Sequence, residues 1–149
     1  MNPEIRLRPF APADTQPLLD LWTAGWTQVL PSIDFAARRP WMEARLQEHL
    51  AAGATIVVAE AGSRAAGFVV FNSATGYLDQ IAVSPEARGT GLAKLLLERA
   101  KDASPAGLSL HVNVDNPRAV RFYEREGFRR VGEGTNPRSG LPILRYQWP

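Results

Sequence analysis

Arg88, Gly89, Thr90, Gly91, Leu92 and Ala93 lie where an apolar, strand-like stretch ending at Val83 meets an amphipathic run. That run carries Leu92, Leu95, Leu96 and Ala100 at helical spacing. The first turn of a helix has N–H groups without intrahelical partners and a partial positive charge, so such a junction suits a phosphate. Gly89 and Gly91 have no Cβ to hold a ligand away, and Arg88 adds a full charge on a forked donor. A diphosphate is the natural guest. The hexapeptide alone equally allows a tight glycine turn with no ligand.

Two other phosphate motifs fit less well. A P-loop needs Gly, four residues and then Gly-Lys-Ser/Thr, a spacing missing from "GTGLAKL". The dinucleotide fingerprint needs a third glycine where Lys94 stands. Further along, Tyr123 carries a phenol that holds its proton at neutral pH, its ordinary pKa being about 10. It can give that proton to a leaving anion, or simply pack with Phe122 against a sheet. Asn116 is a good helix N-cap that needs no ligand.

The elements that position these residues can be read from periodicity and punctuation. Residues 4 to 9 alternate as a first, edge strand. Asp14 is placed to cap a helix with Leu18, Leu19, Trp22 and Trp26 on one face, ended by "PSID". A second helix is expected over about residues 34 to 51. Thr55 to Val83 reads as three antiparallel strands separated by "AGSRA" and "NSATG". On the third of these, Asp79 shares strand parity with Tyr77, Ile81 and Val83.

A helix over about 90 to 103 and a strand over 108 to 114 follow, long enough for a right-handed parallel crossover. Asn116, Pro117 and Gly127 frame a helix over about 117 to 126. "FRRVGEG" and "PILRYQW" are the last two strands, joined by Thr135 to Leu141.

Composition narrows the function classes. The 149 residues fit one domain, and 45% hydrophobic with 21% charged residues can build a core. A net charge of +2, from 17 basic and 15 acidic residues without runs, argues against nucleic acid or a membrane surface as partner. The absence of cysteine excludes a disulfide or thiol nucleophile, and His49 and His111 lie too far apart in sequence for a structural zinc motif. No signal-peptide core or membrane-length apolar run is seen, so a cytoplasmic location is expected.

The sequence resembles the GNAT superfamily of acyl-CoA-dependent N-acyltransferases. Arg88, Gly91 and Ala93 meet its Gln/Arg-x-x-Gly-x-Gly/Ala signature. "NPRAVRFYEREGF" looks like its Asn-x-x-Ala-x-x-x-Tyr-x-x-x-Gly-Phe pattern, and the order of elements agrees over nearly the whole chain.

The resemblance implies an α/β fold, a single GNAT-like domain over residues 1 to 149. Its central sheet would be mixed and mostly antiparallel, with about seven strands and about four flanking helices. The sheet would splay between the strands at 77–83 and 108–114. Acetyl-CoA would be the cosubstrate, with no metal. Its pantetheine would lie along Ile81, Ala82 and Val83, and its diphosphate on Arg88 and the N–H groups of Gly89, Thr90, Gly91, Leu92 and Ala93. Asn116 and Tyr123 would contact the CoA arm.

Tyr123 stands where the family often places the donor to the leaving sulfur. Asp79 stands on the strand where relatives often carry a carboxylate that acts as base or holds a relay water; Glu60 and His111 are alternatives. The acceptor would be a primary amine of a small molecule, with a peptide or protein amine as variant. A non-catalytic CoA-binding module is the competing reading. The first two helices and final strands would form the acceptor end, where Trp22, Trp26, Trp41 and Tyr146 either line a pocket or fill the core. A homodimer would be in keeping with the family.

Overall fold

The computed structural model describes residues 4–137 and 139–149. Seven strands form one sheet: β1 (Ile5–Pro9), β2 (Thr55–Ala61), β3 (Arg64–Asn72), β4 (Tyr77–Val83), β5 (Leu108–Asn113), β6 (Arg129–Thr135) and β7 (Pro142–Trp148). Their order is β1-β2-β3-β4-β5-β7-β6. Every neighbouring pair is antiparallel except β4 and β5, which are joined by the helical crossover that parallel strands require. This is the mixed sheet expected from the sequence, and β1 is at an edge.

Four helices cover the sheet: α1 (Thr15–Val29), α2 (Arg39–Ala51), α3 (Leu92–Ala103) and α4 (Pro117–Arg125). Alternation along the strands divides the core in two. Ile56, Val58, Phe68 and Val70 pack with Leu18, Leu19, Trp22, Met42 and Leu46 of α1 and α2. Val57, Ala59, Val69 and Phe71 face the other way, onto Leu92, Leu96 and Leu97 of α3 and Tyr123 of α4. Each fully buried Leu or Phe stabilises the fold by about 1.5–3 kcal/mol, so the two apolar faces are what hold the helices on.

Local chemistry moved some boundaries. α2 begins at Arg39 rather than 34: Ala36–Arg38 form a 3-10 turn, and Pro40 lacks the N–H that would carry α-type bonding back into it. Asp14 does not cap α1 with its side chain. Its carboxylate turns back to accept from Ala11 N–H at 2.7 Å and from both terminal nitrogens of Arg8 at 2.7 and 2.8 Å. Asn116 does cap α4, accepting from Ala119 N–H at 3.3 Å. α3 begins at Leu92, two residues later than the spacing predicts, because Gly89 and Gly91 are left-handed with φ of 77° and 85°.

Two irregularities shape the centre of the sheet. β4 and β5 pair only at Tyr77 and Ser109, whereas β5 and β7 stay in register over Leu108 to Asn113. The two parallel strands therefore diverge toward Val83, as expected. A bulge also interrupts the β3–β4 ladder: Val70 faces Gln80 and Phe71 faces Leu78, leaving Asp79 as the extra residue. The bulge breaks the expected parity. Ile81 and Val83 pack on the α3 side, while Asp79 turns to α2.

Candidate active site

The gap between β4 and β5 has an unpaired strand edge as one wall. Ser84 N–H donates to Ala66 O of β3 at 2.8 Å, and alternation then directs the N–H and C=O of Ile81 and Val83 to the opposite edge, into the gap. The Ala82 main chain turns toward β3. Of the three strand residues singled out from sequence, two thus offer their main chain to a ligand in the gap.

This edge leads to the start of α3. A Cβ built on Gly89 or on Gly91 would meet nothing within 4 Å, so both glycines border open space. Thr90 Oγ1 donates to Ala87 O at 2.5 Å, which pins the turn between them. The N–H groups of α3's first turn have no intrahelical acceptors, so this cradle fits a diphosphate. Arg88 extends the other way: its terminal nitrogens donate to Gly25 O and Gln28 Oε1 of α1, both at 2.7 Å. Burial draws the Arg88 guanidinium below its usual range, and the nearby positive charge of Arg118 adds to the effect. Arg118, in the first turn of α4, was not singled out from sequence, where it is one arginine among many.

Tyr123 reaches the same region from the α4 side. It is 8% exposed, with edge-on contacts to Phe122 at 5.2 Å and Phe128 at 5.4 Å. Burial pushes its phenol well above the usual range, and the charge of Asp79 and the neighbouring Tyr77 push the same way. The phenol therefore stays protonated at neutral pH. Tyr123 packs on the α3 and α4 face of the sheet, whereas Asp79 turns to α2.

Asp79 is not an isolated carboxylate. Its side chain is 2% exposed and pairs with Arg45, whose Nη2 and Nε lie 2.5 and 3.2 Å from its two oxygens. Burial works against the Arg45 charge, but the hydrogen bonds it donates to Asp79 and the nearby negative charge together outweigh this and raise the guanidinium. Tyr77 is raised by burial and by Asp79, partly offset by Arg45, and its ring lies 5.7 Å from that of His111. Glu60 is remote from this group, bound to Arg6 and Arg8 on β1.

The aromatic candidates separate. Trp22 is core, edge-on to Phe35 at 5.6 Å, and Trp26 stacks on the same ring. Tyr146 belongs to the core under α3 and α4, where its hydroxyl donates to Glu124 at 2.9 Å. Trp41 is 40% exposed, with the Arg45 guanidinium over its ring.

The profile of a family described as the acetyltransferase (GNAT) domain matches residues 35–148 of this sequence. The chain belongs to the GNAT acetyltransferase family. It is similar to the peptidyl-lysine N-acetyltransferase YjaB of Salmonella typhimurium, with 35% identity over 75 residues, 49% of this chain and 51% of that one. The spermidine N(1)-acetyltransferase of Vibrio cholerae is 45% identical over 58 residues, 36% of this chain and 34% of that one. These alignments span about half the length of the first of these relatives and a third of the second.

The GNAT fold extends across the chain. The apo-form solution structure of YjaB from Escherichia coli superposes with a TM-score of 0.78 at 24% identity, covering 97% of both chains. The PaiA N-acetyltransferase of Thermoplasma acidophilum, solved in complex with coenzyme A, superposes with a TM-score of 0.79 at 18% identity. It covers 97% of this chain and 99% of that one. Among the described residues, no helix is long and apolar enough to cross a membrane.

Proposed function

We propose that this GNAT chain transfers an acetyl group from acetyl-CoA to a primary amine of a small molecule, by direct attack in a ternary complex. The observation that carries the reading is the continuity of the β4–β5 gap. The free main-chain edge at Ile81 and Val83 runs to the glycine-lined start of α3. That path matches an acyl-CoA: a strand-like pantetheine, a diphosphate and a thioester.

In this reading the pantetheine pairs with the Ile81 and Val83 edge, and the diphosphate takes N–H bonds from Gly89 to Ala93. Arg118 and Arg88 add positive charge beside it, with Asn116 at the mouth. A main-chain N–H of β4 polarises the thioester oxygen. A neutral amine attacks the carbonyl carbon, the C–N bond forms, and the C–S bond breaks. Tyr123 gives its proton to the departing sulfur and regains one from solvent. Holding both substrates in line supplies much of the acceleration.

The similar proteins that act on peptidyl-lysine and on spermidine support an amine acceptor, and the first of them keeps a peptide amine as the variant to test. Free thiol release from acetyl-CoA, measured against small amines, polyamines and a lysine peptide, tests the proposal. Turnover with one of them is expected. Failure to bind CoA by calorimetry would overturn the assignment of the site, and binding without turnover would favour a sensing module.

A further inference from the structure

The transfer reaction needs a group to remove a proton from the attacking nitrogen, and none of the residues used above does so. Asp79 is the carboxylate that β4 carries, but an amine cannot easily reach it. Its side chain is 2% exposed, Arg45 engages both its oxygens, and Gln80 Nε2 donates to Oδ2 at 3.1 Å. The fourth member of the cluster is His49 of α2. Its Nε2 lies 3.3 Å from Asp79 Oδ1, and its side chain is 23% exposed.

The sheet bulge explains how this pair arises. Regular pleating puts residues two apart on one face, so Asp79 would follow Ile81 to the α3 side and away from His49. The extra residue instead places Asp79 and Gln80 together on the α2 side, where Gln80 Nε2 also lies 3.5 Å from Met42 Sδ. Arg45, one helical turn before His49, balances the buried carboxylate. It thus allows a charge to sit beside the imidazole without being itself the proton acceptor. Among the described residues, the other charged and titratable groups acting on the cluster are Glu48 on α2, Tyr77 on β4, Tyr123 on α4 and, against Tyr77, His111 on β5.

A partly exposed imidazole held with one nitrogen against a buried carboxylate has the chemistry and the access of a general base. We propose that His49 is the base for the acceptor amine, acting directly or through one water, and that Asp79 is its positioning residue. This rests on the acetyl-transfer reading above. The proton leaves the amine nitrogen for the imidazole as the C–N bond forms and then passes to solvent. The proton that reaches the sulfur comes separately from Tyr123.

The test compares wild type, His49→Gln, His49→Ala and Asp79→Asn, with the amine that the wild type turns over. Each variant is first checked for folding by its calorimetric affinity for CoA, which should be unchanged. His49→Gln is expected to lower kcat/KM by about 10²-fold or more. It should also remove the acid limb of the kcat/KM profile, where activity falls as the base is protonated. Added imidazole should restore part of the rate to His49→Ala. Asp79→Asn should lower kcat while KM for the amine changes little, because the imidazole loses the carboxylate that orients it.

Wild-type rate and an unmoved acid limb in His49→Gln, or no imidazole rescue of a folded His49→Ala, would overturn the proposal. A wild type that turns over no amine would instead sink the acetyl-transfer reading itself.

Discussion

At the scale of single residues, environment decides what a side chain can do. Tyr123 is buried and pushed up in pKa, so its phenol keeps its proton at neutral pH, as the proposed donor role requires. Tyr123→Phe is expected to reduce turnover by about 10²-fold while CoA affinity, read by calorimetry, holds, since the ring keeps its contacts with Phe122 and Phe128. Asp14 shows the opposite case. The Arg8 guanidinium holds its carboxyl below the usual range; burial opposes this, and the Ala11 N–H adds to it. A lowered folded value means that the pair stabilises the fold above the unfolded value, about 3.9, and that this is lost as pH falls through the folded one. Denaturant midpoints should therefore drop below about pH 4 in wild type, and less so in Asp14→Asn, which starts lower at neutral pH. Tyr123 and Arg88 were visible in the sequence by type and spacing. The burial that raises Tyr123 and the Gly25 and Gln28 partners that hold Arg88 were not, because both depend on residues far apart in the chain.

At the scale of elements, the two glycines before α3 and the ion pair under α2 carry opposite kinds of constraint. Gly91 is left-handed at φ 85° with open space where a Cβ would point. Gly91→Ala should cost about 1–2 kcal/mol in backbone strain without a clash. It should weaken acetyl-CoA by about tenfold or more, measured by calorimetry, because the added methyl occupies ligand space. Arg45→Ala acts through the protein instead. It leaves the buried Asp79 charge without its main partner, and a loss of about 3–5 kcal/mol in denaturant unfolding is expected. Element types and order were legible, since amphipathic spacing and the Asn116, Pro117 and Gly127 signals are local. The bulge at Asp79 was not, because a bulge is a mismatch between two strands and leaves no mark on either alone.

At the scale of the whole molecule, one sheet is closed by helices on both faces and opened at its centre. Gly67 on β3 lets these layers meet: a Cβ there would come within 2.9 Å of Ala82 O, 3.1 Å of Val83 Cγ1 and 3.2 Å of Leu96 Cδ1. Gly67→Ala should thus destabilise by about 1–3 kcal/mol in denaturant unfolding and disturb the wall of the gap. A ligand that fills the gap acts in the other direction: CoA at a hundred times its Kd should stabilise the fold by about 2.7 kcal/mol, seen as a rise in Tm. The sequence by itself determined the fold class, the crossover between β4 and β5, and the glycine turn before α3, because each follows from periodicity and from glycines and caps acting on their near neighbours. Only the tertiary structure decided which main-chain edge lines the gap, where Arg88 is docked, and that Asp79 meets Arg45 and His49. Those outcomes depend on strand register and on the packing of α2 across the sheet, which bring together residues some thirty positions apart.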